Sequence, residues 1–183
     1  VREHCDKPSH SQADETLHEF LKSQDIPGIS GVDTRAITRR LRDRGVMSGI
    51  ITTESPALAL ESLAESTRYD DVDFVRTVTT DHDYVWDEPP LEPGAPEHRI
   101  LVADCGLKYN ILRLLRQRGC QVIAVPATMA AEEMLAMKPS GILLSPGPGD
   151  PQLLDYLVTN VEKLMGRVPM MGICLGHQIL ARA

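Results

Sequence analysis

Four continuous apolar runs, Ile100–Ala103, Val122–Val125, Ile142–Leu144 and Met170–Ile173, recur along the second half of the chain with helix-patterned segments between them. A half-buried strand alternates apolar and polar residues, whereas an unbroken apolar run suits a strand covered on both faces, as in a parallel sheet. The intervening segments carry the helical period. Asn110–Arg118 places Ile111, Leu112, Leu114 and Leu115 before Gly119, and Ala130–Met137 stops before Pro139. In Gln152–Met165 the residues Leu153, Leu154, Leu157, Val158, Val161, Leu164 and Met165 form a stripe with a period close to 3.6. The pattern is βαβαβαβ followed by the start of another helix. Right-handed crossovers then build an open, doubly wound α/β sheet, with ligands expected at the carboxyl ends of its strands.

Upstream, Asp87–His98 reads DEPPLEPGAPEH, and Pro89, Pro90, Pro93 and Pro96 exclude helix and central strand. The expected organisation is an amino-terminal unit over 1–86, a proline-rich linker over 87–98 and the sheet domain over 99–183. In the first unit, Ser11 and Asp14 suggest a capping box for a helix from about Gln12 to Gln24, with Leu17, Phe20 and Leu21 on one face. Asp33 can cap a second helix, with Ala36, Ile37 and Leu41 apolar, ending near Gly45. Val46–Thr52 reads as a strand, and Ser55-Pro56 opens a third helix with Leu60 and Leu63 inward. Together these make a small α+β unit. Arg35, Arg39, Arg40, Arg42 and Arg44 crowd the second helix. The net charge of −7 favours a solvated face, or one docked on an acidic partner, over a nucleic-acid surface.

The same acidity, with a pI near 5.3, argues against general nucleic-acid or membrane-surface binding. No apolar stretch reaches the length of a membrane span, so the cytoplasm is expected. Cys5, Cys105, Cys120 and Cys174 form no C-x-x-C pair and have no nearby His at zinc-ligand spacing, so reduced thiols and no metal site are expected. The chain starts at Val1 and stops in an apolar segment, which suggests a piece cut at both ends.

Two stretches carry chemistry. VPMMGICLGHQ, Val168–Gln178, is an apolar strand that breaks at Cys174 and restarts as a helix, with Gly172 and Gly176 flanking the cysteine. This G-x-C-x-G is the thiol counterpart of the G-x-S-x-G elbow, which pushes its side chain out at the carboxyl edge of a sheet. A free thiol with a pKa of about 8.5 is mostly protonated at neutral pH, and a position at a helix amino terminus favours the thiolate. The alternative is that Cys174 is a small structural residue. SPGPGDP, Ser145–Pro151, follows the third apolar run and so faces the same edge. Its prolines stiffen the loop while Gly147 and Gly149 leave main-chain N–H groups open to an oxyanion. The loop can also be read as a tight turn capped by Asp150, or as a phosphate cradle, although the G-K-[ST] ending is absent.

GICLGHQ (Gly172–Gln178) together with LSPGPGDP (Leu144–Pro151) resembles the class I glutamine amidotransferase domain. IPGISGVDTRAITRRLRDRGVMSGII (Ile26–Ile51) and DCGLKYNILRLLRQRGC (Asp104–Cys120) resemble, more narrowly, the small subunits of carbamoyl-phosphate synthase. The resemblance implies a partial doubly wound, flavodoxin-like sheet. It implies that Cys174 attacks the side-chain amide of glutamine to form a γ-glutamyl thioester and release ammonia. The N–H groups of Gly147 and Leu175 would form the oxyanion hole, and Gly149 and Gln178 would contact glutamine. Ammonia would pass to a large subunit that combines it with bicarbonate and ATP, in service of arginine and pyrimidine synthesis. ATP and magnesium would belong to that heterodimeric partner, so no cofactor is expected in this chain.

The family's catalytic His and Glu lie in a downstream H-P-E motif, and only Leu175–Ala183 follow the cysteine here. His177 is too close on the same helix to turn back onto the thiol, and a glutamine-contacting serine of the family has no counterpart. The chain by itself is therefore expected to hydrolyse no glutamine and to aggregate or stay partly folded. Three other readings fit parts of the pattern: another class I amidotransferase subunit, an unrelated cysteine hydrolase, and a non-catalytic flavodoxin-like module holding a phosphate at Gly147 and Gly149.

Overall fold

All four apolar runs are strands of one sheet in the computed structural model, which describes residues 1–11, 13–92, 94 and 98–183. The strands are β1 (Tyr84–Trp86), β2 (His98–Asp104), β3 (Cys120–Pro126), β4 (Gly141–Leu144) and β5 (Met170–Gly172). They lie in the order β1-β3-β2-β4-β5. β2 pairs in parallel with β3 and β4, and β4 with β5, while β1 runs antiparallel along the outer edge of β3. The fold is α/β, with a mostly parallel, doubly wound sheet. After β3 the chain crosses back over β2 to reach β4, so the winding reverses between β2 and β4. In sheets of this kind the crevice outside that reversal is where ligands bind.

Two compact units divide the chain, Val1–Tyr69 and Asp70–Ala183. The division lies upstream of 87–98, and the proline-rich stretch falls inside the second unit; its Pro93 and residues 95–97 lie outside the described residues. Residues 70–86, assigned from the sequence to the first unit, pack with the sheet: β1 is one of its strands and Val75 is buried in its core.

In the first unit the helices are α1 (Leu17–Ser23), α2 (Thr34–Arg44) and α3 (Pro56–Glu65). Asp33 caps α2 through a 2.9 Å bond from the Ala36 N–H, Gly45 closes it, and Ser55 caps α3 ahead of Pro56. The box that starts α1 is Thr16 with Glu19, not Ser11 with Asp14, and Gln12 lies outside the described residues. Thr16 wins because its hydroxyl and the Glu19 carboxylate satisfy each other's backbone neighbours at 3.2 and 2.8 Å. On α3 it is Ala59 that is buried, while Leu60 is 65% exposed. The expected strand at Val46–Thr52 is absent, and the described residues of this unit form helices and irregular chain. A strand needs a neighbour to take its ladder bonds, and among the described residues the N–H groups of Val46–Ile51 make none.

The second unit adds α4 (Phe74–Val78), α5 (Tyr109–Gln117), α6 (Ala131–Ala136), α7 (Asp155–Leu164) and α8 (Leu175–Arg182). Alternate residues of each strand feed two cores. Val102, Val122 and Leu143 pack with Leu112 of α5 on one face. Leu101, Ala103, Ile123, Val125, Ile142 and Leu144 pack with Met134, Leu157, Val161, Leu164 and Ile179 of α6, α7 and α8 on the other. Each fully buried side chain of this size contributes about 1.5–3 kcal/mol, which is what holds the helices down. The long helix expected over Gln152–Met165 is divided into a 3-10 turn at Pro151–Leu153 and then α7. Leu154 leaves the helical region at φ −106°, ψ 38°, yet is only 1% exposed, so its core contact is kept without a continuous helix. Among the described residues no helix is long and apolar enough to cross a membrane.

Candidate active site

Three strand exits meet at the reversal of the sheet: Asp104–Leu107 after β2, Ser145–Gly149 after β4, and Ile173–Cys174 after β5. β5 ends at Gly172 and α8 begins at Leu175, so Ile173 and Cys174 alone make the turn. The Ile173 N–H donates to the Leu144 carbonyl at 3.1 Å, the Gly176 N–H to the Ile173 carbonyl at 3.0 Å, and the Gln178 N–H to the Cys174 carbonyl at 3.1 Å. Cys174 is thereby held at φ 53°, ψ −111°, a conformation that only glycine adopts without strain. Its thiol is exposed. The flanking glycines are required by contact: a Cβ on Gly172 would overlap the Gly176 carbonyl, and one on Gly176 the Leu144 carbonyl.

The SPGPGDP loop touches this elbow. A Cβ on Gly147 would overlap the Cys105 carbonyl and stand 2.9 Å from Cδ2 of Leu175. Gly147, Leu175 and the thiol-bearing turn are therefore brought together, and neither the Gly147 nor the Leu175 N–H donates to another group among the described residues. Gly149, at φ 96°, instead packs on Phe74 of α4. Gln178 and His177 are exposed on the first turn of α8 beyond the cysteine. At its far end, Arg182 ties α8 to the start of α7 by an ion pair with Asp155 at 2.7 Å and to the loop by a bond to the Pro151 carbonyl.

Sequence reasoning passed over two residues here. Asp104 and Ser145 are the buried polar side chains among the described residues, at 7% and 0% exposure. Asp104 accepts from the N–H groups of Gly106 at 3.0 Å and Leu107 at 2.8 Å through one oxygen, and from Thr80 at 3.1 Å through the other. Ser145 Oγ accepts from the Cys105 N–H at 2.9 Å and donates to the Pro146 carbonyl at 2.8 Å. A carboxylate ending an otherwise apolar run was the available signal. Between them lies a second thiol, Cys105, buried and pushed up to about 12 by desolvation first and then by the neighbouring Asp104 charge. Burial, not distance from the site, is what silences it.

The cavities described lie elsewhere. One of about 510 Å³ is lined by Asp87–Pro90 and Arg113, another, of about 580 Å³, by residues of the first unit including His4, His18 and Lys22, and a third, of about 580 Å³, by Asp14, Glu15, Glu19, Lys22 and Ser23. Among the described residues no three His, Cys, Asp or Glu side chains are grouped to hold a metal.

Two family models match the chain. Residues 101–183 match the class-I glutamine amidotransferase model, and residues 1–51 match the CPSase domain of the carbamoyl-phosphate synthase small chain. Curated relatives extend the likeness across the region between. The carbamoyl phosphate synthase small chain of Syntrophotalea carbinolica is 43% identical over 100% of this chain and 51% of its own length. That of Methanopyrus kandleri is 41% identical over 100% and 50%, and the chloroplastic small chain of Arabidopsis thaliana is 40% identical over 96% and 43%. The chain spans about half the length of the curated relatives it matches. Continuous similarity of this kind, running through both the amino-terminal segment and the amidotransferase elbow, places the chain in the carbamoyl phosphate synthase small chain family.

Proposed function

We propose that the protein carrying this chain hydrolyses glutamine at Cys174 and hands the ammonia to a large synthetase subunit that makes carbamoyl phosphate. The observation that carries the reading is the exposed thiol held at positive φ beside the unpaired N–H groups of Gly147 and Leu175. Cys174 Sγ forms a bond to the amide carbon of the glutamine side chain, and the carbonyl oxygen, now negative, takes hydrogen bonds from those two donors. Preplaced donors of this sort act where charge develops and need no reorganisation, which makes them effective. Collapse breaks the C–N bond, the thiol proton ends on the departing ammonia, and a γ-glutamyl thioester remains. Water then adds to the thioester, releasing glutamate and restoring the thiol. The family resemblance assigns Gly149 and Gln178 to contacts with the substrate.

No step on this chain uses a cofactor; ATP, magnesium and bicarbonate belong to the partner, and neither nucleic acid nor membrane takes part. Ammonia released into water would be protonated and lost as a nucleophile, so a closed heterodimeric complex is the fitting arrangement. The setting proposed is cytoplasmic, in arginine and pyrimidine synthesis. The similarity to proteins named as small chains supports the choice of substrate and partner. The test is steady-state glutamine hydrolysis by the complete protein purified with its partner. Cys174→Ser is expected to lower kcat by about 10³-fold or more. Full activity in that variant would sink the proposal.

A further inference from the structure

We propose that Ser145 and Asp104 are positioning residues that set where the Gly147 N–H stands relative to Cys174, an inference that rests on glutamine hydrolysis at that thiol. Burying a hydroxyl and a carboxylate is unfavourable unless each is fully hydrogen-bonded, and the described residues bury these two polar side chains at adjoining strand exits. Ser145 bridges the exits directly, taking the N–H of Cys105 after β2 and giving its proton to the Pro146 carbonyl one residue before Gly147. Asp104 fixes the other wall. Its carboxylate gathers the N–H groups of Gly106, Leu107 and Thr80. Gly106 in turn abuts the loop, since a Cβ there would stand 3.1 Å from Gly147 Cα and 2.9 Å from Pro148 Cδ. Gly147 thus packs between the Cys105 carbonyl and Leu175 so closely that no side chain fits there, and its place follows the walls that Ser145 and Asp104 hold. Neither side chain hydrogen-bonds Cys174 among the described residues, so each acts through the loop.

The experiment compares glutamine turnover with alkylation of Cys174 by iodoacetamide in the complete protein with its partner. Alkylation displaces iodide at a saturated carbon and builds no oxyanion, so it reports the thiol but not the donors. Removing an oxyanion donor typically lowers kcat by about 10²–10³, and misplacing one should cost part of that. Ser145→Ala is expected to lower kcat by roughly 10- to 100-fold, with KM for glutamine changed less than about threefold and the alkylation rate within about twofold of wild type. Ser145→Thr, which keeps the hydroxyl, should recover most of the loss. Asp104→Asn, independent of Ser145, puts an NH2 that cannot accept in place of one of the two accepting oxygens and should show the same split with a drop of roughly tenfold. A kcat near wild type in folded Ser145→Ala or Asp104→Asn overturns the inference, as does alkylation falling in step with kcat, which would mark a merely structural role. Wild-type protein without Cys174-dependent turnover would overturn the underlying reading instead.

Discussion

At Cys174 the backbone carries a strain that stability can report. A non-glycine residue in such a conformation costs of order 1–3 kcal/mol, and only a surrounding structure that over-determines it keeps it there. Three backbone bonds and two glycines without room for a Cβ do so here. Cys174→Gly, which removes the side chain from a glycine-like conformation, should therefore raise stability by about 1 kcal/mol in urea denaturation while Cys174→Ser leaves it nearly unchanged. A destabilised Cys174→Gly would show that the turn is unstrained. Cys105 offers a pH test. Its folded value of about 12 stands above the ordinary 9.0, so its stabilising effect is fully present below about 9 and is lost as pH rises towards 12. In that window the unfolded chain has released a proton that the folded chain still holds, at about 1.4 kcal/mol per pH unit. Wild-type stability, measured relative to Cys105→Ala, should stay level from pH 6 to 8 and decline between pH 9 and 10.5; a level difference throughout would refute the burial argument. That Cys174 is displayed and Cys105 silenced was half legible in the sequence. The G-x-C-x-G spacing marks the elbow, whereas the desolvation of Cys105 depends on the SPGPGDP loop folding over it from 40 residues away.

Among the elements, continuous apolar runs proved the most readable signal, because burial on both faces is written into a strand's own residues. Helix ends were equally local: Asp33, Gly45, Ser55 and Gly119 cap or close the helices that their chemistry suggests. What escaped was short or dependent on a partner. β1 has three residues with Val85 58% exposed, and α4 has five, so neither offers a full period to recognise. Val46–Thr52 fails the other way, with a strand's composition but no ladder. Val46 is 66% and Ile51 52% exposed, and the N–H groups from Val46 to Ile51 donate to no acceptor among the described residues. Hydrogen exchange should therefore find the amides of Val46–Ile51 exchanging as fast as an unfolded peptide, while Leu101–Ala103 of β2 exchange only through global opening. Strong protection across Val46–Ile51 would show that the stretch has found a strand partner after all.

Across the whole molecule the two units are unequal in what can hold them together. Of the described residues in Val1–Tyr69, only Ala59 is buried, and the remaining buried apolar side chains all belong to Asp70–Ala183. Ordering a backbone costs about 1–2 kcal/mol per residue, and burial returns about 25 cal/mol per Å² of apolar surface. The first unit has capped helices but almost no such return, and α2 adds repulsion between Arg35 and Arg39 and between Arg40 and Arg44, four residues apart on one helix. Caps and propensity alone leave helices of this length marginal in water. Scanning calorimetry of the 183-residue chain should consequently show one cooperative endotherm that belongs to the 114 residues of Asp70–Ala183. Its enthalpy near 60 °C should be about 80 kcal/mol, where a chain folded throughout would give about 130 kcal/mol. The chain restricted to Asp70–Ala183 should melt at the same temperature with the same enthalpy. An enthalpy near the larger figure, or a second transition lost on removing Val1–Tyr69, would mean that the first unit has a core of its own.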